Sequence, residues 1–184
     1  IEAFVHGAIC VCYSGRCFMS RSMGPRSGNR GDCSQACRLP YELLDGRMRS
    51  QGRARHWLSV RDLNLSDRLE EMIDAGVGSF KIEGRLKDMA YVRNVVGWYR
   101  SRLDEIFFRR PDLKRASQGS VALDFEPDPA KSFSRGSTHY FLDGPAAGVA
   151  SLDTPKSLGE AVGTVVSAGR EWFGMSGKIA LAPG

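Results

Sequence analysis

No stretch of this sequence approaches the ~20 apolar residues that span a bilayer, so no membrane partner is expected. There is no G-x-S-x-G elbow and no H-E-x-x-H helix, the local signatures of an activated serine and of a zinc-bound water. There is no internal repeat and no low-complexity tract. Between Arg16 and Arg61 there is no lysine, although ten arginines fall there against three acids, Asp32, Glu42 and Asp45. Beyond Cys37 there is no cysteine. Arginine without lysine favours bidentate recognition of phosphate or carboxylate over a generic solvated face. Over so long a stretch, RNA is the natural anionic partner. The plain alternative is a basic loop exposed to water.

All five cysteines, Cys10, Cys12, Cys17, Cys33 and Cys37, lie near the start of the chain, among glycines, serines and arginines. Single buried cysteines act as small hydrophobes, but they do not gather in a loop-rich stretch. These thiols form disulfides or hold a metal centre. The odd count weighs against a full set of internal disulfides, and the middle of the chain reads as ordinary helical enzyme sequence, not as a small disulfide-dense domain. A centre using four cysteines with one spare fits better. The spacings are not those of two tight zinc knuckles. They suit a ligand set wrapped around a larger body such as an iron–sulfur cluster, although spacing alone leaves zinc open. In an extended segment Cys12 points away from Cys10, so it is left out of the set.

A hydrophobic fraction of 42% over 184 residues supports a packed core, in one domain or one and a half. Glu2 to His6 reads as a strand, followed by an irregular cysteine-bearing segment over 7–40. Trp57 to Val60 reads as a second strand, and Asn64 to Asp74 as a helix capped by Asn64 or Ser66 and closed by Gly76. Val77 to Ile82 is a third strand, broken by Gly84. A long helix runs from about Asp88 to Phe108, with Val92, Val95, Val96, Tyr99, Leu103 and Ile106 on its buried face. Arg109-Arg110-Pro111 stops it. Alternation of this kind implies parallel strands with crossover helices. From about Ala116 short β-prone runs take over, at Ser137 to Leu142, Ala161 to Val166 and Glu171 to Met175. The expected organisation is an α/β unit over 1–115 and a β-rich unit over 116–184. The absence of an initiator Met and the strand already present at Ile1 to Val5 suggest a piece of a longer chain, with a β-rich unit that is itself incomplete.

Charged residues at the carboxyl end of a strand, just before a glycine turn, are where barrel enzymes place working groups. Lys81-Ile82-Glu83-Gly84-Arg85 has that form, with Lys81 and Glu83 on one face and Phe80 and Ile82 on the other. Arg61-Asp62 ends the previous strand in the same way, and Glu2 and His6 flank the first. The alternative for Lys81 and Glu83 is a structural ion pair, and a lone histidine such as His6 is more often structural than catalytic. Trp98 and the Val–Tyr stripe belong to the core.

E-A-F-V-H-G-A-I-C, Y-S-G-R-C-F-M-S, N-R-G-D-C-S-Q-A-C-R-L-P-Y and S-F-K-I-E-G-R, in that order, resemble the signature regions of the collagenase-like peptidase family U32. S-R-G-S-T-H-Y-F and D-T-P-K-S-L-G-E-A-V-G-T-V resemble the C-terminal extension of its longer members. The resemblance implies the C-terminal part of a TIM-like (β/α) barrel followed by a small β-barrel-like domain. It implies a 4Fe–4S cluster on Cys10, Cys17, Cys33 and Cys37, with the fourth ligand varying among members. Members of this architecture resemble bacterial RNA hydroxylation proteins, which hydroxylate a base of 23S rRNA or tRNA in a prephenate-linked way. Others carry the peptidase name or serve ubiquinone hydroxylation.

A peptidase needs an activated nucleophile or a metal-bound water. Here five thiols compete and four look committed to a cluster. Hydroxylation needs a redox centre and an RNA-binding face. The reading is therefore a cytoplasmic, cluster-dependent RNA base hydroxylase, with a peptidase and a non-catalytic accessory protein as alternatives. His6, Lys81 and Glu83 are the catalytic candidates. Arg30, Arg38, Arg61 and Arg85 are the substrate-binding candidates, with Lys81 and Arg85 suited to a carboxylate-bearing donor such as prephenate.

Overall fold

The computed structural model describes residues 1–116, 118–145 and 148–177. A four-stranded sheet in the order β3-β1-β2-β4 organises most of them. β1 (Glu2–Gly7) and β3 (Ser79–Ile82) are parallel neighbours, with Phe4 opposite Lys81. β2 (Asp62–Asn64) runs antiparallel to β1, with His6 opposite Asn64. β4 (Ser137–Thr138) runs parallel to β2. The all-parallel expectation therefore holds for β1 and β3 and is corrected at β2. The strand expected at Trp57 to Val60 is a turn and a single bridge from Val60 to Ala150, and pairing on β1 begins only at Leu63.

Helix α3 (Met89–Arg109) covers the sheet. Asp88 caps it by accepting a hydrogen bond from Tyr91 N at 2.8 Å, which satisfies a donor that the first turn leaves open. Its buried line is Tyr91, Val95, Tyr99 and Ile106, packed against Val5, Leu65 and Leu69. Val92 and Val96 are exposed, one step further round the helix than expected. The opposite side meets the segment before β4, where a Cβ on Gly97 would lie 3.0 Å from Leu123 Cδ1. α2 (Leu69–Asp74) starts later than expected because Asn64 Oδ1 accepts from Ser66 N at 3.1 Å and closes a turn ahead of it. Phe80 and Ile82 pack on the core. A short helix, α1 (Met19–Met23), lies in the cysteine segment.

β4 lies beyond residue 115 yet completes the same sheet, and its neighbourhood is tied to it by further hydrogen bonds. Arg61 N donates to Val149 O at 2.9 Å and Ser151 N to Ser59 O at 2.6 Å. β5 (Thr164–Ala168) and β6 (Phe173–Ser176) form a separate antiparallel hairpin. No described helix is long and apolar enough to cross a membrane.

Candidate functional site

The carboxyl ends of β1 and β3 meet where the cysteine segment begins. Gly7 has φ +118°, and a Cβ there would lie 2.6 Å from Glu83 O, so only glycine permits this approach. The segment is then fastened from several sides. Arg85 donates from Nη2 to Gly31 O at 2.9 Å. Arg38 donates from Nη1 to Ser59 Oγ at 2.9 Å and Val60 O at 2.8 Å, and from Nη2 to Ile9 O at 3.2 Å. Asn29 Oδ1 accepts from Cys17 N at 2.9 Å, and Tyr41 donates its hydroxyl to Ala36 O at 2.7 Å.

All five cysteines are free thiols. Burial pushes the Cys37 thiol up. Arg38 opposes this, and the neighbouring thiols of Cys33, Cys10 and Cys17 push it further. Cys12 is also pushed up, by burial and then by Cys17 and Cys10, and its Sγ lies 3.8 Å from Arg16 O. Cys33 Sγ accepts a hydrogen bond from Gln35 N at 3.2 Å, an approach that Gln35 makes from a left-handed conformation, φ 56°. The buried Ser20 hydroxyl is 3.7 Å from the same sulfur and accepts from Ser34 N at 3.1 Å. Among the described residues, no three Cys, His, Asp or Glu side chains ring a point that a single metal ion could occupy.

Beneath the loop lies a charged cluster. Asp62 and Arg135 are both buried and pair through Arg135 Nη1 and Asp62 Oδ1 at 3.0 Å. Arg135 N also donates to Asp62 Oδ2 at 2.9 Å, and its Nε to Pro155 O at 2.7 Å. Burial lowers Arg38, and Arg135 adds to that, while Cys37, Asp62 and Cys10 oppose it. Lys87 is lowered by burial and then by Arg135; its ammonium lies 3.1 Å from the Phe133 ring centre. His6 is buried, and desolvation pulls its pKa down to about 4 despite Asp62 and Asn64. Its ring stands edge-on to Tyr99, 5.5 Å away, and Tyr99 Oη lies 3.4 Å from His6 Nδ1 while donating to Val5 O at 2.7 Å. His6 also lines a cavity of about 200 Å³ with Asp62, Asn64 and Phe133.

The structure thus separates residues that the sequence groups together. Lys81 is exposed with its ammonium 4.7 Å from the Phe4 ring centre, not against Glu83. Glu83 instead accepts Arg85 N on Oε1 at 2.8 Å. Arg38 is spent on protein acceptors, and Arg85 holds the cysteine segment. Arg30 and Arg61 are exposed, and Arg61 lies alongside Gly136 and Leu158. Arg26 pairs with Asp32, Arg49 with Asp45, and Arg53 and Arg55 with Asp153. Among the described residues, Arg16, Arg21, Arg30, Arg47 and Arg61 have no carboxylate partner within ion-pair reach. Sequence reasoning missed Arg135, Lys87 and Ser20, and placed Tyr99 in the core without its contact to His6. Arg135 stood within the S-R-G-S-T-H-Y-F motif, but its partner Asp62 is too distant along the chain for any periodic signal.

Residues 1–150 match Peptidase family U32, and the chain belongs to that family. It is 47% identical, over its whole length, to a 23S rRNA 5-hydroxycytidine synthase of Escherichia coli, spanning 28% of that relative. It is 44% identical over 110 residues to tRNA hydroxylation protein P1 of Bacillus subtilis, covering 56% of this chain and 26% of that one. It is 38% identical over 104 residues to a protein named collagenase from Porphyromonas gingivalis, covering 56% of this chain and 29% of that one. The chain therefore spans under a third of the length of these relatives. No solved structure matches it.

Proposed function

We propose that this chain carries the cluster-binding part of an enzyme that hydroxylates a base in RNA. One observation carries the reading: a chain 47% identical over its whole length to an rRNA hydroxycytidine synthase holds Cys33, Cys10 and Cys17 near enough to Cys37 to push its thiol up. The donor set is chemically suited to iron and sulfide, since 4Fe–4S clusters are held by four cysteine thiolates. Cys10, Cys17, Cys33 and Cys37 are the proposed ligands, and the cluster supplies electron transfer when bound. β1 and β3, parallel and joined at the loop, are the strands proposed to belong to a TIM-like barrel in the longer protein.

The chain's own residues do the rest. Arg38 sets a fixed positive charge beside Cys37, which partly offsets the upward push of burial on that thiol. His6, buried and neutral, offers an imidazole lone pair near the loop. Lys81 and Arg85 present cations at the end of β3 to a carboxylate-bearing donor such as prephenate. The peptidase alternative gains nothing from the geometry: Tyr99, not a serine or cysteine, is the hydroxyl or thiol beside His6 among the described residues.

The test uses the full-length protein, purified without oxygen and assayed for iron and sulfide, with hydroxylated bases measured by mass spectrometry in RNA from cells carrying it. A brown protein with about four irons and a modification that disappears with Cys17→Ser supports the reading. A colourless zinc protein, or unchanged RNA on deletion, overturns it.

A further inference from the structure

Residues of the cysteine segment between Cys17 and Cys33 line a cavity of about 470 Å³. That is within the ~300–1,000 Å³ range of small-ligand sites. Its floor is Phe18, a large apolar ring left 69% exposed. Arg21, in the last turn of α1, and Arg30, in the 3-10 turn Gly28–Arg30, stand over it. Neither has a carboxylate partner among the described residues. Asp32, the acid of the lining, is already neutralised by Arg26 at 2.8 Å. The cavity therefore combines an open aromatic face with two uncompensated guanidiniums.

The same walls are wired to the cluster candidates. Asn29, another lining residue, accepts from Cys17 N. A Cβ on Gly28 would lie 3.9 Å from Cys33 Sγ, and Arg26 Nη2 donates to Cys33 O at 3.0 Å.

We propose that Phe18, Arg21 and Arg30 form a pocket for one unstacked nucleotide of the RNA, with the base stacked on Phe18 and its flanking phosphates on the two arginines. The inference rests on RNA being the substrate. Bases removed from a helix expose π-faces that stack on aromatic side chains without hydrogen-bond readout. An enzyme acting on a base must take it out of the stack, and arginine forks suit phosphate oxygens. An acidic peptide would satisfy the arginines but leave the Phe18 ring unmatched.

The experiment measures binding of a fluorescent single-stranded RNA oligomer and its matched duplex to the full-length protein, with iron content read on every sample. Phe18→Ala is expected to weaken the single strand about ten- to a hundredfold, with Phe18→Tyr near wild type. Arg21→Gln with Arg30→Gln should flatten the salt dependence, and Arg102→Gln, on α3 and outside the cysteine segment, serves as the control. Iron per chain should stay constant throughout. Unchanged affinity in Phe18→Ala, while the wild type binds RNA, overturns the pocket and leaves the RNA reading standing. Equal loss for duplex and single strand also overturns it, because stacking would then play no part. An acidic peptide that displaces the oligomer and is equally weakened by Phe18→Ala assigns the pocket to peptide instead. A wild-type protein that binds no RNA overturns the underlying reading itself.

Discussion

Cys12 and Cys37 behave differently although they share one loop. Cys37 is half-buried among the thiols of Cys33, Cys10 and Cys17, whereas Cys12, although near Cys17 and Cys10, directs its Sγ to the Arg16 carbonyl. Cys37→Ser is therefore expected to lose most of the iron and Cys12→Ser to keep it, as measured by iron per chain after anaerobic purification. Equal loss in both would refute the ligand choice. Asp62 and Arg135 form a buried pair whose side chains are only 9% and 8% exposed. Removing one partner leaves an unpaired buried charge, so Arg135→Met should cost about 3–5 kcal/mol in a denaturant melt. Asp62→Leu added to it should recover part of that loss. His6 gives a pH signature. Its folded pKa of about 4 lies below the ordinary 6.5, so the unfolded chain takes up a proton that the folded chain refuses. Stability is then level above about pH 6.5 and falls as pH drops toward 4, by on the order of 3 kcal/mol. His6→Leu should flatten that part of the stability profile.

Among the elements, β1 is the hinge on which the site depends. Its last residue, Gly7, touches the backbone of Glu83 in a conformation that side chains rarely adopt. Gly7→Ala combines backbone strain of roughly 1–3 kcal/mol with a clash. It is expected both to lower the melting temperature and to reduce iron retention, because the loop leaves the sheet at this point. A variant with full iron and an unchanged melt would show that the β1–β3 junction does not position the loop. The extent of α3 was legible from its sequence, as was the burial of Val95, Tyr99 and Ile106, whereas Val92 and Val96 proved exposed. β2 was not legible, since three residues carry too little pattern to be recognised. The strand-like run at Trp57 to Val60 is instead held by its contacts to 149–152.

At the scale of the molecule, the net charge of +5 understates how basic the sequence is between Arg16 and Arg61. Five of the ten arginines between Arg16 and Arg61 are engaged by acids or carbonyls. The others remain for an anionic partner. RNA affinity of the full-length protein should therefore fall steeply with salt, each phosphate contact adding about 0.7 to the log–log slope on a single strand. Replacing Arg21 and Arg30 together should lower that slope by about 1.4. A salt-independent affinity would return these arginines to ordinary solvated surface.

Composition and local order determined a good deal by themselves. Five cysteines in one glycine-rich stretch pointed to a shared centre, arginine without lysine to an anionic partner, and the ordered motifs to the family. The helical repeat around Val95 and Tyr99 located the main core helix. These are properties of neighbouring residues, and neighbours along a chain constrain one another whatever the fold. Tertiary structure alone decided that β4 completes the sheet, that Asp62 is neutralised by Arg135, that Lys81 rests on Phe4 rather than Glu83, and that Arg38 fastens the loop. Each of those outcomes is a contact between residues brought together only by chain topology, where burial and hydrogen-bond satisfaction choose the partner and no periodicity records the choice.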